Sequence, residues 1–289
     1  MTRLFSAGVV LFAALFMLPL SAVADPVPSG TLFVDFEAID TADEYLASVD
    51  LKTGEFNIIG ALNEGLNDIA LDANGNLYGT GFKNLYKIDT HDASLTYVGQ
   101  YRDLSQMAEL NDVDFSADGV LYGGAPFGFY TIDTATAAST FIGSTPSFDI
   151  TGLAFNGGHI FAVDHRERLF TVDADTSAGT YITDLLLEVG TGDNVSGLTG
   201  GPDGTLFGVT DEGVVSIDVA TGASELIAPF PSGYGFPSGV TGFGLADISP
   251  SGPPGPGPGP IGVPEPGSLL LFGFGLTALG FAWRKRRSN

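Results

Sequence analysis

The chain has 289 residues, with 41 glycines, no cysteine, and 34 acidic against 11 basic side chains, a formal net charge of −23. A surface this acidic repels phosphate backbones and anionic headgroups, which excludes a nucleic-acid partner. The lack of cysteine removes disulfides, thiolate metal ligands and a thiol nucleophile, so stability has to come from burial alone.

The first residues read as an export leader. Arg3 supplies a positive start, Leu4 to Leu20 an apolar stretch, and Ala22-Val23-Ala24 a small-x-small cleavage site. Residues 1–24 are therefore expected to be a signal peptide, with Asp25 beginning the mature chain. Between Asp25 and Val263 stand 33 acidic and six basic residues, a balance of −27, and the remaining basic residues lie at the two ends.

From Gly30 onward one unit recurs. An apolar residue and Asp are followed by a turn and an apolar exit strand at Asp50, Asp89, Asp133, Asp173 and Asp218, spaced 39, 44, 40 and 45 residues apart. Nine residues after each Asp stands Ile59, Val98, Ile142, Ile182 or Ile227. Constant spacing inside the unit with variable spacing between units is what loops of different length produce. Upstream of each marker lies a short apolar piece, TLFVD from Thr31, NLYGT from Asn76, VLYGG from Val120, HIFAV from His159 and TLFGV from Thr205. Four of these follow another short strand and a tight turn, DIALDANG, DVDFSADG, TGLAFNGG and SGLTGGPDG. Asn-Gly, Asp-Gly and Gly-Gly reach positive φ cheaply, as hairpins need. The unit is four short antiparallel strands. At the marker turns the Asp side chain can accept backbone N–H groups while a small residue takes the left-handed position, and His91-Asp92-Ala93 departs from that pattern.

Four strands repeating near 43 residues read as a β-propeller. The fold class is all-β, with five blades between residues 30 and 248. The first unit lacks its innermost strand, while Gly242–Ile248 reads as an innermost strand with no unit after it. Pairing the two closes the ring and leaves no open edge. Residues 249–262, SPSGPPGPGPGPIG, form a proline- and glycine-rich linker that cannot pack.

The tail, residues 263–289, opens with Val263, Pro264, Glu265 and Pro266, continues as an apolar helix over 268–283 and ends in Arg284, Lys285, Arg286 and Arg287. Fifteen or so residues at about 1.5 Å each fall slightly short of a hydrocarbon core of about 30 Å. The basic cluster acts as a cytoplasmic stop and places the domain before it outside. This order of features resembles the PEP-CTERM sorting signal, the substrate signature of bacterial exosortases. The resemblance implies an exosortase as processing partner, cleavage near the Pro-Glu-Pro, and membrane contact through the helix before processing. It also implies a destination at the cell surface or in the exopolysaccharide matrix of a Gram-negative bacterium. It covers only the tail and implies nothing about what the propeller does.

Ligands of propellers meet the central channel, so the innermost strands hold the candidate residues. Asn67, Asn111, Thr151, Ser196 and Phe243 align there, followed by Asp68 and Asp112 where the other units carry Gly152, Gly197 and Gly244. Asp68 and Asp112 on adjacent blades could bind a cation or share a proton, against the plainer reading that they cap strands or bind channel water. Asp72-Ala73-Asn74-Gly75-Asn76 begins like a calcium loop but lacks its twelfth-position Glu, and reads as a turn. His159 and His165 have no second ligand at metal spacing. Ser196-Gly197 and Ser238-Gly239 lack the strand–turn–helix setting of a nucleophile. Tyr78, Tyr122, Phe161 and Phe207 recur at one position and read as core. No catalytic residue, metal or cofactor is expected. The leading expectation is a non-enzymatic exported surface or matrix protein. Its rivals are a lectin-like module binding carbohydrate or calcium, and a hydrolase or lyase using Asp68 and Asp112.

Overall fold

A computed structural model describes residues 30–243 apart from 39–40, 42, 103–108, 127, 146–149, 188–193 and 202–203. The leader, the linker 249–262, the Pro-Glu-Pro motif, the apolar segment 268–283 and the basic cluster lie outside the described residues. Among the described residues no helix is long and apolar enough to cross a membrane.

The expected ring is present as five four-stranded antiparallel sheets. Blade one holds β1 (Thr31–Ala38), β2 (Glu44–Asp50) and β3 (Glu55–Leu62). Blade two holds β4 (Leu66–Leu71), β5 (Leu77–Gly81), β6 (Asn84–Ile88) and β7 (Leu95–Gln100). Blade three holds β8 (Asp112–Phe115), β9 (Leu121–Ala125), β10 (Gly128–Ile132) and β11 (Ser139–Gly143). Blade four holds β12 (Ile150–Asn156), β13 (His159–Asp164), β14 (Arg168–Val172) and β15 (Gly179–Asp184). Blade five holds β16 (Gly197–Gly200), β17 (Leu206–Thr210), β18 (Gly213–Ile217) and β19 (Ser224–Pro229). The last strand, β20 (Tyr234–Phe243), pairs with β1 and completes blade one.

Closure is as expected, but its position is not. The closing strand runs over Tyr234–Phe243 rather than Gly242–Ile248, and residues 244–248 lie outside the described residues. Its register sets Gly239 opposite Asp35 and Val240 opposite Val34. Ser238-Gly239-Val240-Thr241 is thus the counterpart of Ser196-Gly197-Leu198-Thr199. Ser238 and Gly239, not Phe243 and Gly244, complete the two inner rings. Pro237 hid this strand from a pattern search, because proline cannot donate to a ladder. Register shifts between Asp35 and Glu37 absorb it.

The core is five slabs between blades rather than one centre. Leu32, Val34 and Phe36 of blade one pack against Phe207, Val209 and Val214 of blade five, and Phe33 and Leu46 pack against Ile69 and Leu77 of blade two. Three further clusters fill the remaining seams. The ninth residue after each marker Asp is the extra residue of a β-bulge. The register skips Ile59, Val98, Ile142, Ile182 and Ile227 in turn. A bulge bends the outer strand and re-aims its side chains. Each bulged residue packs into the seam with the following blade.

The marker turns interlock the rim. Asp50, Asp133, Asp173 and Asp218 each accept two backbone N–H groups through Oδ1, and the last three also accept a Thr hydroxyl. The fourth residue on is left-handed in every blade, Gly54, Ala93, Ala137, Ser177 and Gly222, with φ between 57° and 72° if the neighbouring Glu167 turn is included. In the irregular turn, His91 N–H still donates to Asp89 Oδ1 at 2.8 Å, so the geometry survives without the threonine. These turns press on the preceding blade. A Cβ added to Gly60 would stand 2.6 Å from Asp92 O, and one on Gly99 would stand 3.0 Å from Ala137 Cβ. Gly99→Ala should therefore force blades two and three apart and lower stability by about 1–3 kcal/mol. Urea unfolding checks this, and an unchanged midpoint contradicts the interlock.

Candidate functional site

The inner strands β4, β8, β12, β16 and β20 neighbour one another in that order and β20 returns to β4, so they wall a central channel. At one end of the channel lies a cavity of about 380 Å³, to which all five blades contribute. Asn67, Asn111, Thr151, Ser196 and Ser238 form its polar ring, with Glu109, His165 and Asn194 around them and Leu66, Ile150 and Val195 as apolar lining. No Lys or Arg lines it.

The asparagines are held by the neighbouring blades. Asn67 Nδ2 donates to Leu110 O at 2.8 Å and Asn111 Nδ2 donates to Ile150 O at 3.3 Å. With their amides committed, the amide oxygens remain as the groups able to accept from a ligand. Thr151 is too short to make the same bridge, and its buried hydroxyl has no partner.

One residue deeper, register places Asp68, Asp112, Gly152, Gly197 and Gly239 in a second ring. Asp68 and Asp112 therefore do fall on equivalent positions of adjacent blades. They turn into the seams: Asp68 Oδ2 accepts from Val113 N–H at 2.7 Å. Asp112 is turned toward the Leu153 N–H of blade four, but neither of its oxygens attains a full hydrogen bond. Asp114 repeats the device lower down, Oδ2 accepting from Phe155 N–H at 2.7 Å, and Thr241 Oγ1 accepts from Leu71 N–H at 3.0 Å. Carboxylates here stitch one blade to the next, close to the plainer sequence reading.

Asp35 escaped the sequence reading. It sits on β1 opposite Gly239, fully buried, with neither oxygen hydrogen-bonded. Its only signal was an acid in an apolar strand, VDF, at a register matching Thr80 and Val163. Burial pushes Asp35, Asp68 and Asp112 well above the usual carboxylate range. The charge of Glu44 adds to this at Asp35, that of Asp112 and then Asp35 at Asp68, and that of Asp114 at Asp112. Burial likewise pushes Asp114 up to about 7 against the N–H groups of Phe155 and Phe115. Glu167, left-handed at φ 57°, caps Val195 N–H at 3.4 Å and is pushed up to about 7, by burial first and then by Asp164.

The other candidates are structural. Asp72 Oδ1 accepts from the N–H groups of Asn74 and Asn76, and its Oδ2 accepts from Asn76 Nδ2, which makes this segment a turn. Phe161 and Phe207 are buried and Tyr78 and Tyr122 half-buried in the slabs. His159 is exposed, whereas His165 is exposed at the mouth. Among the described residues no group of three His, Cys, Asp or Glu is arranged to hold a metal ion.

Fold and mouth together define a five-bladed β-propeller with a polar channel opening. At its C-terminal end the chain carries a PEP-CTERM protein-sorting motif, matched over residues 262–287, which implies an exported protein processed by an exosortase. No curated protein matches the sequence. A protein of unknown function from Bacteroides caccae is similar in structure, with TM-score 0.50 and 11% identity over 74% of this chain and 98% of that one. A gluconolactonase from Xanthomonas campestris gives TM-score 0.47 at 14% identity, covering 73% and 79% of the two chains. A chain of a nidogen/laminin complex gives 0.47 at 15%, covering 73% and 84%. At such identities the likeness concerns the fold alone.

The buried acids set the pH response. Each binds its proton more tightly folded than unfolded, so the stability it contributes is full at acid pH and is lost as pH rises through its folded value, about 7 for Asp114 and Glu167. For Asp114, a rise from 3.8 to about 7 corresponds to on the order of 4 kcal/mol. Urea unfolding should show a more stable propeller at pH 5 than at pH 8, and the reverse order contradicts the burial of these groups.

Proposed function

We propose that the mature chain is a non-enzymatic surface or matrix propeller, exported through its leader and sorted by an exosortase acting near Val263 to Pro266. The observation that supports this best is the commitment of the channel carboxyls. Asp68 and Asp114 bond the backbone of the next blade, and Asp112 is wedged in a seam, so none stands free at the mouth beside a nucleophile. General acid–base work needs a group within hydrogen-bond reach of its substrate. Among the described residues the mouth offers hydroxyls, amides and aliphatic side chains, with Glu109 and His165 as titratable groups beside the buried Asp112.

That lining favours a second reading, a module that binds a neutral hydroxylated ligand of monosaccharide size at the mouth. Small-molecule sites of this kind combine apolar walls with a few fixed polar groups. Fixed amide oxygens at Asn67 and Asn111 and the absence of basic lining suit hydroxyl donors better than anions. The lactonase likeness supplies no reaction, because its geometry is too distant to carry residues across.

Sorting and binding are tested separately. A reporter fused to residues 249–289 behind a secretion leader should reach the envelope and lose its tail, and replacing Pro264-Glu265-Pro266 with alanines should leave the tail attached. Retention of an intact tail in the unaltered fusion contradicts exosortase processing. For the mouth, Asn67→Ala with Asn111→Ala should abolish binding of any sugar found by array screening, whereas binding that survives places the ligand elsewhere.

A further inference from the structure

The five seams around the channel are built in two ways. Gly152, Gly197 and Gly239 let inner strands of successive blades touch directly. A Cβ at Gly152 would stand 3.0 Å from Leu198 Cβ, one at Gly197 would stand 2.8 Å from Gly239 Cα, and one at Gly239 would collide with Asp68 Oδ1. From blade two to three and from three to four, Asp68 and Asp112 fill the same place. Asp35 stands opposite Gly239, the residue against which Asp68 Oδ1 packs.

These three carboxyls form a row across blades one, two and three. They are 0%, 0% and 1% exposed. Of their six oxygens, only Asp68 Oδ2 has a hydrogen-bond partner. The titratable groups on the strands packed against them are Glu37, Glu44, Tyr45 and Asp50 in blade one, Tyr78 in blade two, and Asp114 and Tyr122 in blade three, with Glu109 and His165 at the mouth above. None is Lys or Arg. Three unpaired charges in such a site cost several kcal/mol each. The nearby N–H groups of Gly239, Ile69 and Leu153 make no full hydrogen bond to the row, and a protonated carboxyl supplies one O–H apiece. A metal ion fits poorly, since no third ligand of the usual kinds joins any two of them and Asp68 Oδ1 already rests on backbone.

We propose that Asp35, Asp68 and Asp112 hold protons between them as a lock on the first three blades, closed when the row is protonated and opened when it ionises. Each ionisation releases one proton to solvent and leaves one buried carboxylate, and a second ionisation sets two like charges facing across a seam, which pushes the strands apart. Burial and mutual repulsion raise all three carboxyls in the direction this needs. The glycine seams on either side of blade five contain no such row, although Glu167 of blade four, itself pushed up to about 7, caps Val195 N–H just before β16.

Hydrogen exchange of the full chain, expressed as protection relative to intrinsic rates, tests this between pH 5.5 and pH 8.5. Protection at β4 and β8 should fall by about tenfold per pH unit for each proton that opening releases and level off above the folded-state titration, while β18 and β19 stay constant. Asp35→Asn, which breaks no hydrogen bond of the native side chain, should hold β4 protection at pH 8.5 near its acid value, and Asp112→Asn should do the same for β8. An equal loss in all blades, or constant protection at β4 and β8, overturns the lock. Restoration at pH 8.5 by millimolar calcium or sodium overturns it in favour of a cation site. If a variant does not fold, the comparison within the unaltered protein still decides.

Discussion

Pairing of β20 with β1 is the constraint on which the other contacts depend. Four of the five sheets are continuous in sequence and can form locally. Blade one cannot, because its inner strand comes from residues more than 200 positions after its second strand. Until that pairing forms, β1 presents an open edge and the slabs on either side of blade one are half built. Open edges invite pairing with other chains. Closing the ring covers that edge and completes the channel wall together, so a local ladder governs the global shape.

Once closed, the ring is held at two radii by different means. At the rim, the Asp-capped turns of one blade press into the bulged outer strand of the blade before it, through glycine at Gly60, Gly99 and Gly143. Near the channel, close strand contact at three successive glycine seams gives way to two successive seams filled by Asp68 and Asp112. The rim contacts are neutral backbone packing and respond to side-chain volume. The inner contacts include buried acids and respond to pH. Arg168 neutralises the buried Asp164, but Asp35, Asp68 and Asp112 have no basic partner, which leaves protons as their available counter-charge.

Much of the architecture was legible because turn chemistry is local. The marker Asp, the small residue four positions on and the tight Asn-Gly, Asp-Gly and Gly-Gly pairs each state a backbone conformation in a few letters, and five such statements at related spacings imply five blades. What was not legible depended on partners distant in sequence. Ile59, Val98, Ile142, Ile182 and Ile227 were visible as a constant spacing, but that the register skips them depends on the neighbouring strand. The closing strand was misplaced by about five residues because Pro237 breaks its pattern and the register with β1 skips Phe236 and Ser238 on either side of it. Asp35 resembled an ordinary polar residue at a strand's outer half until Gly239 was set beside it. The mouth could be located only as a set of innermost positions, since Glu109, Asn194 and Val195 come from loops.

Register also orients the molecule. Thr31 lies opposite Phe243, so the chain enters and leaves the ring at the same rim, the one bearing the hairpins after β4 and β8 and the marker turns. The polar opening is at the other pole, where the inner strands begin at Leu66, Ile150 and Ser196. Whatever is joined through the residues after 243 therefore grips the disc from underneath. The described chain thus leaves the cup's entrance clear at the opposite pole from its own exit.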